Sequence, residues 1–240
     1  MRSSFDRSRM HRRGVGQRTT FAVVAGACLL GALPALWTHA AEGVESTASP
    51  SELVLGSLQS RYEHITDLRA DFVQEAHVAS LGKRDISRGR VVMQRPGRMR
   101  WEYIDPEERV IVLDGGTLRV YTPSESQLQI ASAAGGAFSP TALGFLLGEG
   151  DLRAAFTSEK VEREDRDEIG LILRPRGDAA FEYLEMWLEP ESHQLRESVV
   201  VDVFGNRTSV RFAKIIENAG VDDAAFEIQA PEGTEVIDLR

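Results

Sequence analysis

From residue 51 to residue 66, apolar side chains at Leu53, Leu55, Leu58 and Tyr62 or Ile65 recur every three or four positions, which gathers them on one face of a helix. Ser51 stands where a capping hydroxyl belongs, and the helix is predicted to end near Thr66. After it the period changes to two. "DLRADFVQEAHVA" sets Leu68, Ala70 and Phe72 against Arg69, Asp71 and Val73, and "SRGRVVMQR" follows a turn near Leu81 and Gly82. The runs "RMRWEYI", "ERVIVLDGG", "TLRVYTP" and "SQLQIAS" come next, divided by Pro96-Gly97, Asp105-Pro106, Asp114-Gly115-Gly116 and Pro123-Ser124. Short alternating runs punctuated by turn residues describe an antiparallel meander.

One apolar interruption breaks the strand pattern. "GGAFSPTALGFLLGEGDLRAAF" has Ser139 as a cap and Pro140 at the first helical position, where its missing N–H costs nothing. Leu143, Phe145, Leu146, Leu147, Leu152 and Phe156 then suggest two short helices hinged at Gly148 and Gly150. The charged run "EREDRDE", Glu162 to Glu168, reads as a solvated hairpin loop. Beyond it "GLILRPR", "FEYLEMWLEP", "QLRESVVVDVFG" and "RTSVRFAKIIE" are strand candidates, with a short final strand at "FEIQAP" before "GTEVIDLR". The expected architecture is mainly β within the α+β class: an incomplete antiparallel barrel of about 10–11 strands, with an N-terminal helix and helices covering its open side.

Composition changes this picture at the N-terminus. Six arginines against the single Asp6 precede the apolar run "FAVVAGACLLGALPALW", Phe21 to Trp37, which ends in "THAAEG". Basic, then apolar, then small is the order of a secretory signal peptide, and the run with its Pro34 is short for a permanent span. Residues 1–40 are therefore expected to be a cleaved leader and 41–50 a flexible lead-in. Residues 51–240 are expected to form one domain. Arg12-Arg13 leaves the export route open between the general and twin-arginine pathways. Cys28, the one cysteine, lies inside the apolar run, so the exported chain can form no disulfide and must be held by its core. Setting aside the leader's six arginines and one aspartate moves the formal charge from −9 to −14. Such a surface repels phosphates, so no nucleic-acid partner is expected, and the chain is expected to be a soluble monomer.

Catalytic chemistry is hard to find. His64, His77 and His193 lie far apart with no second histidine at metal-ligand spacing, and no nucleophile elbow or phosphate loop is present. No metal, cofactor or enzymatic activity is expected, although a carboxylate pair in a polar cleft would bring a hydrolase back into consideration. Strand parity says more. Met99, Trp101 and Tyr103 share one face, Arg98, Arg100 and Glu102 the other, so Arg98 and Arg100 are expected in solvent. Arg95 instead continues the face of Val91 and Met93, at the rim of an apolar interior. A guanidinium there needs partners, and backbone carbonyls of a covering element would supply them, making Arg95 a lock.

At "RPGRMRWEY", "DGGTLRVYTP" and "FEIQAPEGTEVID" the chain resembles the LolA family of periplasmic lipoprotein carriers, and the likeness extends over essentially all of it after the leader. The resemblance implies a partial barrel under a helical lid, with an apolar cavity for lipoprotein acyl chains. The arginine of the family's Arg-Pro turn, which ties the lid down, maps onto Arg95 with Pro96, and its tryptophan maps onto Trp101. Where the family often has an aromatic between them, this chain has Met99. Parity assigns Phe72, Met93, Met99, Trp101, Leu118, Val120, Leu184, Met186, Val201 and Phe212 to the cavity, with Leu143, Leu146 and Leu147 from the lid. The implied partners are acylated lipoproteins as cargo, an inner-membrane ABC exporter of the LolCDE kind and an outer-membrane acceptor like LolB. A carrier of another lipid, such as a glycolipid, and a lipid-sensing regulatory module are the alternatives.

Overall fold

A computed structural model describes residues 48–133 and 150–240. The expected leader, most of the lead-in and the Leu143, Leu146 and Leu147 segment lie outside the described residues.

Helix α1 spans Pro50–Glu63. Its cap is Ser49 and not the expected Ser51: the Ser49 hydroxyl accepts the Glu52 N–H at 3.3 Å while the Glu52 carboxylate accepts the Ser49 N–H at 2.8 Å. This reciprocal box satisfies two donors at once, and Pro50 occupies a first-turn position that needs none. Ser51 is buried instead and donates to the Ser158 carbonyl at 2.9 Å. Leu55, Leu58 and Tyr62 form the buried face, whereas Leu53 points outward.

Strands β1 (Asp67–Val78), β2 (Lys83–Gln94), β3 (Arg98–Asp105), β4 (Arg109–Asp114), β5 (Thr117–Thr122) and β6 (Gln127–Ser132) form the first meander. A short helix α2 (Leu152–Ala155) leads into β7 (Phe156–Val161), β8 (Ile169–Pro175), β9 (Phe181–Leu188), β10 (Leu195–Asp202) and β11 (Arg207–Glu217), and β12 (Glu235–Asp238) follows near the C-terminus. They make one 12-stranded sheet in the order β12-β6-β5-β4-β3-β2-β1-β11-β10-β9-β8-β7. β1 pairs with β11 and so joins the two meanders, while β12 runs parallel to β6. The partial barrel expected from the pattern is thus an open sheet whose edges are β12 and β7, with two strands placed differently from expectation. Phe156 opens β7 and does not end a helix. "FEIQAP" is no strand: Asp223–Phe226 is a 3-10 turn, and the last strand lies further on at "EVID".

The sheet curls strongly. Trp101 on β3 and Phe212 on β11 sit three strand steps apart, a separation of roughly 14 Å in a flat sheet, yet their ring centroids are 6.3 Å apart. One continuous apolar cluster therefore fills the inner face from β5 round to β8 and takes in the buried side of α1.

The outer face carries its own smaller cluster, Trp187, Val199 and Val201. The segment 162–168 folds back over it and is not merely a solvated loop. Arg163 lies over the Trp187 ring at 3.6 Å, and Glu197 accepts hydrogen bonds from Arg163 (3.0 Å), Arg166 (3.1 Å) and Arg211 (2.6 Å). Burial pushes the Glu185 carboxyl up, but hydrogen bonding to Arg207 at 2.7 and 3.1 Å outweighs it and leaves the group below its ordinary value. Glu185 thus adds stability above the ordinary glutamate range, which is lost as pH falls through its lowered value.

Candidate functional site

The inner face is built by alternation. On β1 the side chains of Leu68, Ala70 and Phe72 turn inward, and on β3 those of Met99, Trp101 and Tyr103 do. Phe72 is the hub: its ring meets Trp101 edge-on at 4.7 Å and Tyr103 at 5.2 Å. Tyr103 keeps its hydroxyl satisfied on Gln74 at 3.0 Å. Gly89 on β2 makes this possible, because a Cβ there would stand 2.0 Å from the Glu102 carbonyl oxygen and 2.8 Å from the Phe72 ring.

Of the expected lining, Phe72, Met93, Met99, Trp101, Leu118, Leu184, Met186 and Phe212 are all buried in this one cluster. Val120 is half-buried and packs against it. Val201 does not belong. It lies in the outer cluster opposite Tyr183, and Val200, opposite Leu184, takes the inner place. Parity reading also missed Leu171, Leu173 and Leu195, which are completely or almost completely buried on the same face. Chemical type offers a further signal: apart from Met1 and Met10, every methionine of the sequence, namely Met93, Met99 and Met186, faces this interior. Flexible, polarisable thioethers give a wall that can adapt to an occupant of variable shape.

At one end of the interior lies α1. Its C-terminal carbonyl at Tyr62 accepts from Arg95 Nη1 at 2.7 Å, and the Arg95 backbone N–H donates to Thr66 at 2.8 Å. The half-buried guanidinium thus sits where parity put it, at the rim, held by a helix C-terminus whose dipole favours a cation. The Tyr62 hydroxyl accepts the Leu195 N–H at 3.2 Å, and burial pushes that phenol up to about 12, so it stays neutral. An ion pair between Arg61 and Glu217 at 2.6 Å adds a third tie. Pro96 occupies the turn beside Arg95, and the lid residues expected to line the cavity, Leu143, Leu146 and Leu147, lie outside the described residues.

Arg98 and Arg100 do face outward but are not in solvent. The C-terminal segment crosses over them. Arg98 pairs with Asp223 at 2.6 Å and Asp114 at 3.1 Å and lies over the Phe226 ring at 4.3 Å, while Arg100 donates to the Glu227 carbonyl at 3.1 Å. The opening between α1 and the end of β11 is lined by Arg61, Ser57, Ser60, His64, Arg153 and Glu217 among others, a wall too polar for a hydrocarbon chain. Among the described residues no group of three or more His, Cys, Asp or Glu side chains is placed to hold a metal ion.

A family model described as outer membrane lipoprotein carrier protein LolA matches residues 63–229, from the last residue of α1 through the turn that holds Phe226. The chain belongs to the LolA family. An outer-membrane lipoprotein carrier protein of Alkalilimnicola ehrlichii is 30% identical over 224 residues, covering 92% of this chain and 95% of its own. A protein of the same description from Chromobacterium violaceum is 30% identical over 170 residues, 71% of this chain and 80% of that one. Among solved structures, an uncharacterized conserved protein from Thermus thermophilus aligns with a TM-score of 0.50 at 15% identity, over 78% of this chain and 97% of that one, and shares the fold. In this LolA-family chain Arg95-Pro96 stands at the turn between β2 and β3 and Trp101 on β3, with Met99 between them.

Proposed function

We propose that this protein is a periplasmic chaperone that receives lipoproteins released from the inner membrane, shelters their acyl chains on the inner face of its sheet and carries them to the outer membrane. The observation that supports this most is the curled apolar face itself. It is lined by aromatic, aliphatic and thioether side chains, with the Arg95 guanidinium at its rim. A triacylated lipoprotein exposes on the order of forty methylenes, each worth ~0.8 kcal/mol on burial, so crossing water unaided would cost tens of kcal/mol. An apolar wall answers that need by binding.

In this reading residues 1–40 are the export signal and 51–240 the carrier domain. Cargo enters from an inner-membrane ABC exporter of the LolCDE kind and leaves to a LolB-like acceptor. Arg95 and Pro96 form the lock, and Phe72, Met93, Met99, Trp101, Leu184, Met186 and Phe212 are the surfaces that acyl chains meet. The test is mass spectrometry of what copurifies with the processed protein. Triacylated lipoproteins are expected; recovery of the protein with no lipid of any kind, from cells making abundant lipoproteins, would count against the reading, and a different lipid alone would reassign the cargo.

A further inference from the structure

The end of the sheet remote from α1 is apolar where it should not be. β1 and β2 meet in a turn whose Leu81 is 74% exposed, and β10 and β11 meet in a turn whose Val203 and Phe204 are 62% and 82% exposed. These are two separate hairpins that touch. The Ala79 N–H donates to Asn206 Oδ1 at 3.1 Å, and a Cβ on Gly205 would lie 3.9 Å from that of Ala79. The display of Phe204 is built and not incidental. Asp202 Oδ1 takes the N–H groups of Phe204 (2.8 Å) and Asn206 (2.9 Å), while its other oxygen takes the Asn206 amide (2.8 Å), which fixes the turn with the ring outward. A β-strand of this length spans about 40 Å, so the tips stand well away from the Arg95 end.

Charge around the tips departs from that of the chain. In a protein with 37 acidic and 28 basic side chains, the basic groups of these hairpins, Lys83, Arg84 and Arg207, are paired with Asp85 (3.0 Å), Glu75 (2.5 Å) and Glu185 (2.7 Å), so the tips carry little of the chain's net negative charge. We propose that the paired hairpin tips, Leu81 with Val203 and Phe204, insert into the headgroup layer of a lipid bilayer. Three apolar side chains on a narrow protrusion match the penetration depth of an interfacial anchor. The same three make a patch far too small for a stable protein interface, which needs roughly 800 Å² from each partner. The anchor is shallow and reversible, and it is independent of the inner face, since no residue of the tips belongs to the inner cluster.

The test uses the full chain, as processed by the cell, in a Cys28→Ser background, and vesicles that are mainly phosphatidylethanolamine with a minority of phosphatidylglycerol. No cargo is added, so the outcome does not depend on what the inner face carries. An environment-sensitive dye on Phe204→Cys should shift to the blue with vesicles, and the same dye on Leu53→Cys, exposed on α1, should not. The double variant Leu81→Ser/Phe204→Ser should bind these vesicles about tenfold or more weakly than the parent. A dye at 204 that reports water in the presence of vesicles would overturn the proposal. So would a shift that appears without lipid as protein concentration rises, which would assign the tips to a second copy, or one that needs an added protein partner.

Discussion

Arg95→Leu should yield a folded protein that accepts cargo but passes it to an acceptor at least about tenfold more slowly than the parent. The guanidinium contributes a charge-assisted hydrogen bond of 2.7 Å to the Tyr62 carbonyl at the end of α1, a class of bond worth about 1.5–3 kcal/mol. In the proposed carrier cycle that bond is made only in the closed form, with α1 against the β2 rim. On that reading it stabilises the closed form selectively, and cargo must displace that closed form to stay bound. Removing it shifts the balance towards the loaded form by roughly one to two powers of ten, so loading survives and release suffers. Leucine suits the apolar rim, which keeps the fold intact. Transfer kinetics from the loaded protein to an outer-membrane acceptor measure the effect, and parent-like transfer would show that Arg95 is no lock.

Adding one methyl at Gly89 should destabilise the fold by about 3 kcal/mol, near the upper end of what overpacking does. The new carbon would overlap the Glu102 carbonyl, 2.0 Å away, and the Phe72 ring, 2.8 Å away. The carbonyl belongs to the β3 backbone and cannot rotate aside, so β2 and β3 must part, and the Phe72–Trp101–Tyr103 contacts loosen with them. Gly177→Ala is the control, since a Cβ there meets nothing within 4 Å. Chemical denaturation should separate the two variants clearly. Equal midpoints would mean that the close approach of β2 and β3 is not as described.

Much of this was legible in the chain because local patterns and tertiary demands agree. Period-two alternation gave β1 to β5 and the inward side of β3, and the Pro96-Gly97 turn placed Arg95 at the rim. Val201 was misplaced for a physical reason. "SVVVDV" is apolar on both faces, because β10 lies between the inner cluster and the outer one around Trp187, and a continuous apolar run carries no parity. The strand also shifts register at both ends, between Leu195 and Glu197 and between Val201 and Asp202, so counting along it loses phase. Phe226 looked like a strand residue, but its ring is needed beneath Arg98, a contact between residues more than a hundred positions apart that no local pattern announces. The run Glu162 to Glu168 looked solvated because its basic and acidic partners, Glu185, Glu197 and Arg211, lie in other strands. Gly89 gave no signal at all among its polar neighbours.

The most direct test uses the two tryptophans outside the leader, Trp101 on the inner face and Trp187 on the outer. Loading the protein with a lipopeptide whose acyl chains carry bromine should quench Trp101 strongly. The quenching should survive in Trp187→Phe and disappear in Trp101→Phe. Emission from Trp187 that is quenched as much as that of Trp101, or a Trp101 untouched by a bound lipopeptide, would place hydrocarbon outside the curled sheet and contradict the account.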